Sequence, residues 1–487
     1  MSPAHHNREP RWRVLVLVVA VLAGVGIGFG TQGATAPAAP AEPAAQVSAP
    51  DAESSAWYCT GQSTPGGTAP NFVVMTNTLG RPATATVTTV TDGGAVAHTA
   101  VSVPARSVVT PSLPVLSPGS WEAQTVVVDG GGVAVSQIVQ GPSGWDESPC
   151  VSTTSSQWYF PGGTTANGAG LYVSLLNPTP TPVVVDLSFI TRAGAEHPIN
   201  YQGIVVQAGS VVVENVASEI QNDATVSTVA TTRTGRIVAS ELQTFAAPSA
   251  GLSLVAGSPT LESHWAIPQA EEATGGSSEI DVFNPGTTPE NVTVRLRLPS
   301  GALAPLTSTV GAGSTWALST SAQTRIPVGA PYSADIEAAG GAGVVVGRTI
   351  VLPAAATAPQ AGLALAVDGL SQAPSGLAWI LPPPGAGSSP PVSGAAPQSL
   401  ALMNTSSGSE RYAAAAMSSS GQTQLAAGTI APGATVLVSG SNLSRVAADP
   451  ILVRSDGTMG VSEDLGPTGG LGVVTVPGFP LARAVNS

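Results

Sequence analysis

Lysine is absent from this chain of 487 residues, and all sixteen basic residues are arginines. A phosphate-binding P-loop needs a lysine that reaches the phosphates, so the sequence excludes one. Histidine is scarce as well: His5 and His6 stand near the start, and His98, His197 and His264 each stand alone. Neither an H-E-x-x-H spacing nor a G-x-S-x-G turn occurs, so the sequence carries no signature of a zinc hydrolase or a serine hydrolase.

Charge is also sparse. Charged residues make up 9% of the chain, against roughly 25% in ordinary soluble domains. The formal net charge is −13, and without a basic patch we expect no nucleic-acid partner. Small residues, proline, threonine and valine take the place of the missing charges. This composition disfavours solvent-exposed helices and favours short strands joined by tight turns.

Three adjacent acidic pairs occur, at Asp146-Glu147, Glu271-Glu272 and Glu463-Asp464. Neighbouring residues of a strand point to opposite faces, so no pair forms a two-carboxylate catalytic site by itself. We interpret all three as solvated loop acids. A calcium loop would need oxygens at alternate positions, and the sequence has no D-x-D-x-D run. We therefore predict no catalytic residue, no cofactor and no metal site, and no enzyme activity.

The two cysteines of the chain are Cys59 and Cys150. They bracket one stretch of sequence, and no histidine lies near either of them. In an exported protein, such an isolated pair is typical of a disulfide bond. We predict that bond, and the missing histidines disfavour a catalytic or metal-binding role.

Residues 1–33 predict export or membrane insertion. Three arginines precede an uncharged apolar run at residues 14–29, which places the positive end inside the cell. Two interpretations stay open: an uncleaved single-pass anchor through residues 14–30, or a signal peptide that is removed. Residues 34–56 are rich in alanine and proline and predict an extended linker without a core of its own.

A fourfold repeat organises the rest of the chain. Each copy opens on a tryptophan, continues through a loop of small residues, and then has an apolar run that ends in asparagine. An alternating strand, a turn and a Gly/Val-rich closing strand follow. The repeat-defining residues are Trp57 and Asn77, Trp158 and Asn177, Trp265 and Asn284, and Trp379 and Asn404.

Period-two alternation is the main fold signal within each copy. In the third copy, Val292, Val294 and Leu296 alternate with Thr293 and Arg295, which puts the apolar side chains on one face of a strand. Six or seven short strands in about 100 residues are typical of a β-sandwich.

We therefore predict an all-β protein with four tandem Ig-like β-sandwich repeats, each closing its own core. An N-terminal transmembrane helix and the Ala/Pro-rich linker precede them. The predicted units span residues 57–150, 151–262, 263–366 and 367–487.

The tryptophans and asparagines have a structural interpretation. We expect each tryptophan to plug one end of its sandwich, because a buried indole covers a large apolar area. Each asparagine is expected to bond to backbone where a strand meets a turn. The alternative is that the tryptophans line a surface that stacks on carbohydrate.

At Trp158-Tyr-Phe-Pro-Gly-Gly and Leu175-Leu-Asn177-Pro178, the chain resembles a family of large secreted or membrane-anchored actinobacterial proteins. These carry W-[FY]-[FP]-x-G … L-x-N-P repeats and are catalogued as a domain of unknown function. The resemblance covers most of residues 57–465 and implies an extracytoplasmic location and β-rich repeats. It implies no catalytic residue.

The sequence thus predicts a non-catalytic structural or interaction protein of the bacterial cell envelope, held in the cell membrane with its C-terminal part outside. If the signal is cleaved, the protein is secreted instead. Possible partners are envelope proteins or polysaccharide. The alternative function is that of a carbohydrate-binding module protein acting with envelope polysaccharide synthesis.

Overall fold

A computed structural model describes residues 44–142, 144–246, 249–272, 275–352, 360–368, 377–383, 395–467 and 474–482. The predicted membrane segment and the first part of the predicted linker lie outside these residues. Among the residues described, no helix is both long and apolar enough to span a membrane.

The predicted all-β class is confirmed, because nearly every regular element within the described ranges is a strand. Repeat 1 contains β1 (Ser55–Ser63), β2 (Asn71–Asn77), β3 (Ala83–Thr91), β4 (Val96–Val103), β5 (Val108–Val109), β6 (Trp121–Val128), β7 (Val133–Gly141) and β8 (Gly144–Pro149). Repeat 2 contains β9 (Gln157–Phe160), β10 (Gly170–Asn177), β11 (Val183–Thr191), β12 (Gly194–Glu196), β13 (Ile204–Val206), β14 (Ser210–Asn215), β15 (Ser227–Thr234), β16 (Val238–Phe245) and β17 (Gly251–Ala256).

The second half of the chain repeats this series. Repeat 3 contains β18 (His264–Glu271), β19 (Ser277–Asn284), β20 (Glu290–Leu298), β21 (Gly301–Ala302), β22 (Leu306–Val310), β23 (Ser314–Ser319), β24 (Pro331–Ala338), β25 (Val345–Leu352), β26 (Gln360–Leu365) and β27 (Val367–Asp368). Repeat 4 contains β28 (Leu377–Leu381), β29 (Ala395–Asn404), β30 (Glu410–Ser418), β31 (Gly421–Ile430), β32 (Thr435–Ser439), α1 (Ser441–Ser444), β33 (Ile451–Ser455), β34 (Met459–Pro467), β35 (Val474–Pro477) and β36 (Phe479–Pro480). Three short 3-10 helices in repeat 2 span Ala166–Gly168, Ile199–Tyr201 and Val216–Ser218.

Each repeat is built from two antiparallel sheets. In repeat 1, one sheet has the order β1-β6-β3-β4 and the other has the order β5-β2-β7-β8. The same orders return as β9-β15-β11-β12 with β14-β10-β16-β17, as β18-β24-β20-β21 with β23-β19-β25-β26, and as β28-β33-β30-β31 with β32-β29-β34-β35. These orders differ from the A-B-E-D and C-F-G sheets of an immunoglobulin constant-type domain. We call the sheet that contains the tryptophan strand the outer sheet, and the other the inner sheet.

The two sheets of a repeat differ in how many faces they bury. The outer strand β20 alternates between buried and more exposed residues along its whole length. The inner strands β7 and β16 are buried at six or more consecutive positions. A strand covered on both faces is apolar throughout rather than at alternate positions. Each inner sheet is therefore covered on one face by its own outer sheet and on the other by a neighbouring repeat.

The strand that contains the tryptophan provides this second cover. Trp158 points into the core of repeat 2, and the next residue, Tyr159, points the other way and belongs to the core of repeat 3. Tyr58 likewise packs against the core of repeat 2, and Ile380 belongs to the core of repeat 1. In repeat 3 the corresponding residue is Ala266, which lies against Gly460 of repeat 4. Successive repeats thus contact one another in order, and repeat 4 returns to repeat 1.

The closing strands of the inner sheets meet where the repeats converge. The backbone N–H of Leu254 in β17 donates to Asp146 Oδ2 in β8 over 2.7 Å. One repeat further on, the N–H of Leu363 in β26 donates to Ser253 Oγ in β17 over 2.9 Å. Asp146 and Ser253 hold the same position in their strands, since they pair with Val139 and Gln243. Equivalent bonds therefore join repeat 1 to repeat 2 and repeat 2 to repeat 3.

The junction of repeats 4 and 1 contains residues that the sequence analysis assigned to the linker. Val47 is buried in the core of repeat 1 and forms a parallel bridge with Leu481. Its N–H donates to Pro480 O, and the N–H of Ala482 donates to Val47 O. The prediction of a linker without a core is therefore wrong for residues 44–49, because Val47 packs in the core of repeat 1 and pairs with Leu481.

These contacts also bear on how the chain is divided. Residues Pro43–Ser487 form one compact unit, and the core of repeat 1 contains Ile380, Met417, Leu452 and Phe479 from repeat 4. The expectation that each repeat closes its own core is therefore incomplete. The division into four domains stays a prediction.

Candidate functional site

Cys59 and Cys150 are joined in a disulfide bond that spans 91 residues. Cys59 lies in β1, Cys150 follows β8, and both are fully buried. Closing a loop of this length stabilises a fold by about 4–5 kcal/mol in the chain-entropy model. The bond therefore fastens the first strand of repeat 1 to its last one.

The four tryptophans that open the repeats are buried. Trp57 and Trp158 are 0% exposed, and Trp265 and Trp379 are 2% exposed. The Trp158 Nε1–H donates to Ile237 O over 2.9 Å, and the Trp265 Nε1–H donates to Val344 O over 2.8 Å. An indole in this setting has no face free for a ligand, and its area stabilises the core.

The four asparagines share one pattern of bonds. The Asn284 Nδ2–H group donates to Thr288 O over 2.9 Å and to Val310 O over 3.1 Å, and its Oδ1 accepts from the Gly286 N–H. Asn77, Asn177 and Asn404 make the corresponding bonds. All four are fully buried. A side-chain amide supplies two donor hydrogens on its nitrogen and a separate acceptor oxygen, so each asparagine closes one turn and fastens the chain that enters the inner sheet.

The acidic pairs are not the solvated loop acids that the sequence analysis predicted. Glu147 is 2% exposed and Glu463 is 1% exposed, and both lie in strands of the inner sheets. Asp146 and Glu272 are buried as well. The prediction was wrong for Asp146, Glu147 and Glu463 because the strands of the inner sheets are covered on both faces, whereas Glu271 and Asp464 are half-buried.

Glu147 and Glu463 come together at the junction of repeats 1 and 4. The Ser136 hydroxyl donates to Glu147 Oε1 over 2.7 Å, whereas Glu147 Oε2 and Glu463 Oε1 have no partner. Burial raises the pKa of Glu147, and the nearby carboxyl of Glu463 raises it further. Burial and the adjacent Asp464 raise the pKa of Glu463 to about 8. Glu463 is therefore mostly protonated at neutral pH, and the pKa of Glu147 is shifted in the same direction.

Arg348 is the buried cation next to these acids. Its Nη1–H donates to Gln269 O over 2.6 Å, and its Nη2–H donates to Thr475 Oγ1 of repeat 4 over 2.7 Å. The Thr475 hydroxyl in turn donates to Asp464 Oδ1 over 2.7 Å. This chain of hydrogen bonds ties repeat 3 to repeat 4.

A repeat signal could have identified these positions. Glu241, Arg348 and Glu463 each pair with the residue four places before the asparagine of their repeat, and Gln137 does so in repeat 1. All four are nearly fully buried. A long polar or charged residue at one fixed and buried place in each repeat is therefore the feature that sequence reasoning missed.

The histidines lie in three different repeats. His98 Nδ1 is 3.0 Å from Thr88 Oγ1, His197 Nδ1 is 2.8 Å from Ser188 Oγ, and His264 contacts Asp335. In the part of the chain that the structure describes, no group of three or more His, Cys, Asp or Glu side chains has an arrangement that could hold a metal ion.

Residues 141–441 match a family of unknown function, DUF5719, and the chain belongs to this family. The prediction of an uncharacterised domain family is confirmed at this level. No curated protein matches the chain.

Three solved structures show a distant likeness. The crystal structure of Thermotoga maritima 1070 has 13% identity over 21% of this chain and 90% of its own, with a TM-score of 0.19. A tetra-tandem repeat from the extending region of a large adhesion protein has 12% identity over 88% and 100%, with a TM-score of 0.12. A 1.5-MDa bacterial ice-binding adhesin has 12% identity over 72% and 90%, with a TM-score of 0.10. At these scores the likenesses carry no argument.

Proposed function

We propose that this protein is a non-catalytic structural or interaction protein of the bacterial cell envelope. In this proposal, residues 14–30 anchor it in the cell membrane, and the four repeats lie outside the cell as one rigid body. The repeats would act as a spacer or platform for envelope proteins or polysaccharide.

The burial of the repeat-defining residues supports this proposal most strongly. The tryptophans, the asparagines and the residues after the tryptophans all serve packing within or between repeats. Carbohydrate binding through the tryptophans would need an exposed ring face, and none of the four indoles is more than 2% exposed. The residues that recur in the four repeats are thus accounted for by packing within and between the repeats.

The disulfide bond supports the proposed location. Structural disulfides form in exported proteins and are rare in the cytosol. The bond between Cys59 and Cys150 agrees with an apolar export segment at the start of the sequence. We further propose that this segment is a transmembrane helix and that the four repeats are β-sandwiches, Ig-like in their two layers though not in strand order.

Protease treatment of intact cells tests the location. A C-terminal epitope tag on the full chain should be removed by protease added outside, while a cytosolic control protein stays intact. A tag that survives in intact cells and is digested only after lysis would contradict the proposed topology. Alkylation before lysis should also find both cysteines oxidised.

A pull-down tests the role. The full-length protein, solubilised in detergent, is offered isolated wall polysaccharide and a membrane extract from the same cells. The proposal expects saturable retention of an envelope component. A Trp158→Ala variant serves as the misassembled control and should retain less. Retention of neither component, or equal retention by a denatured sample, would remove the support for an interaction role.

A further inference from the structure

A cleft of about 340 Å³ lies between repeats 3 and 4. Its floor is the outward face of the outer sheet of repeat 3, and its far side is the start of β32 in repeat 4. Pro268, Arg297, Pro331 and Ser333 line the first side, and Thr435 and Leu437 line the second. A volume of this size lies at the lower end of the range for small-molecule sites.

Arg297 has no counter-ion in this cleft. It is partly buried, and it has no hydrogen bond or ion pair with the described residues. Two residues earlier on the same face, Arg295 pairs with Asp335 and with Glu337, the latter over 2.8 Å. In a chain with a net charge of −13, a partly buried cation without a carboxylate is available to an anion from outside.

Two residues of the lining, Ser333 and Thr435, have hydroxyl groups without hydrogen-bond partners. Ser333 lies directly opposite Arg297 in the pairing of β20 with β24, so the two side chains share one face. Ser333 is 2% exposed, and its Oγ has no hydrogen-bond partner. Thr435 Oγ1, from repeat 4, is also buried without a partner. Buried hydroxyl groups normally have a hydrogen-bond partner. A ligand in the cleft could supply that partner to each of these two hydroxyl groups.

The apolar part of the walls is aliphatic. Proline and leucine side chains present C–H surfaces, and the aromatic residue of the lining, Tyr332, is only 3% exposed. The ring of a ligand can lie against the prolines while its polar groups reach Arg297 and Ser333.

We propose that the cleft binds a compound of monosaccharide size that has several hydroxyl groups and one anionic group, such as an acidic sugar residue. The anionic group pairs with the guanidinium of Arg297, whose planar fork suits carboxylate and phosphate. Ser333 and Thr435 bond to ring hydroxyls. This inference goes beyond the proposed envelope role, because a scaffold needs no such site and the site does not depend on the location of the protein.

Calorimetric titration of the full-length protein tests the site, with three probes. Glucuronate carries a carboxylate, glucose 6-phosphate carries a phosphate, and glucose carries neither. We expect glucuronate, glucose 6-phosphate or both to bind saturably, with one molecule per protein chain. Glucose should bind at least about tenfold more weakly. The anionic probe that binds more tightly identifies the charged group.

Matched variants separate the site from general charge effects. Arg297→Gln should weaken binding of the anionic probe at least about tenfold, whereas Arg295→Gln, on the same strand and face, should leave it unchanged. Ser333→Ala should weaken it without altering net charge, and it tests the site even if Arg297→Gln misfolds. Absence of saturable binding to both anionic probes would overturn the proposal. So would equal binding of glucose, or equal losses in both arginine variants. These results would leave the proposed envelope role untouched, since that is tested by cell topology.

Discussion

At the scale of single residues, the asparagine that ends the second strand makes the same hydrogen bonds in all four repeats. Its amide satisfies two backbone carbonyls and one backbone N–H that would otherwise be buried without partners, as at Asn284. Leaving such groups unpaired costs about 1–3 kcal/mol each. The sequence analysis could predict this bond from the strand-to-turn position alone, because the requirement is local.

Asn284→Ala is predicted to lower the free energy of unfolding by about 3 kcal/mol, since three backbone groups lose their partner. Asn284→Asp should cost more at neutral pH, because a carboxylate cannot donate to the carbonyls of Thr288 and Val310. Chemical denaturation measures both. Asn291→Ala, on the exposed face of β20, is the control and should change stability little. A loss no larger than that of the control would contradict the assigned role.

The buried carboxyls predict an unusual dependence on pH. Burial raises the pKa of Glu241 to about 8, as it does for Glu463, whereas the unfolded chain has values near 4.5. Between these limits the folded state holds more protons than the unfolded state. The free energy of unfolding should therefore fall as pH rises from about 4.5 to about 8, by about 1.4 kcal/mol per pH unit for each group. Below about pH 4.5 the two carboxyls contribute fully to the free energy of unfolding, and above about pH 8 that contribution is lost.

Thermal melting at a series of pH values checks this sign. The double variant Glu241→Gln with Glu463→Gln imitates the protonated forms and should flatten the profile. Glu53→Gln, at an exposed position, should keep the wild-type slope. A melting temperature that rises between acidic and alkaline conditions would show that the two carboxyls are not held neutral.

At the scale of elements, the strand that contains the tryptophan has two functions. The tryptophan packs in the core of its own repeat, and the next residue packs against a neighbouring repeat; only the first of these is visible in the sequence. Its inward residue is always tryptophan, and so the core of each repeat could be predicted. Its outward residue is tyrosine in repeats 1 and 2 (Tyr58 and Tyr159) but Ala266 in repeat 3 and Ile380 in repeat 4, so no single residue type marks the position. The contact between repeats could not be predicted for that reason, since the outward residue is matched to a neighbour about a hundred positions away rather than to its own repeat.

Tyr159→Ala is predicted to loosen repeat 3 more than repeat 2, although Tyr159 belongs to repeat 2 in sequence. Its side chain lies in the core of repeat 3, and removing a buried aromatic costs about 3–5 kcal/mol. Hydrogen exchange should become faster in β19 and β25. Tyr412→Ala, at a partly exposed place in repeat 4, should leave these strands protected. Faster exchange confined to repeat 2 would argue for independent repeats.

At the scale of the whole molecule, the four repeats share core residues across every described junction except that of repeats 3 and 4, where Arg348 and its hydrogen bonds make the link. The all-β class and the alternating strands could be predicted, because period two is visible within a few residues. The burial of the acidic pairs could not, because it depends on the second cover that a neighbouring repeat supplies.

Loss of the disulfide bond is predicted to destabilise residues 43–487 as one unit. Cys59→Ala with Cys150→Ala removes a constraint of about 4–5 kcal/mol, and the core of repeat 1 contains residues of repeat 4. Calorimetry should therefore show one transition moved to lower temperature. Ser136→Ala, which changes a buried residue of the same repeat, is the control and should lower the transition temperature less. Two separate transitions, of which only one moves, would contradict a shared core.

The bridge between Val47 and Leu481 has a consequence for engineering. Because the segments at Val47 and Leu481 lie side by side, a short peptide could join them, and the chain could be given new ends in the connection at residues 152–154. Such a circular permutant should fold to the same arrangement, with repeat 2 now leading and repeat 1 trailing, because no sheet would be cut. The repeat with which the chain begins could then be chosen freely, and a tether could be attached at the new ends.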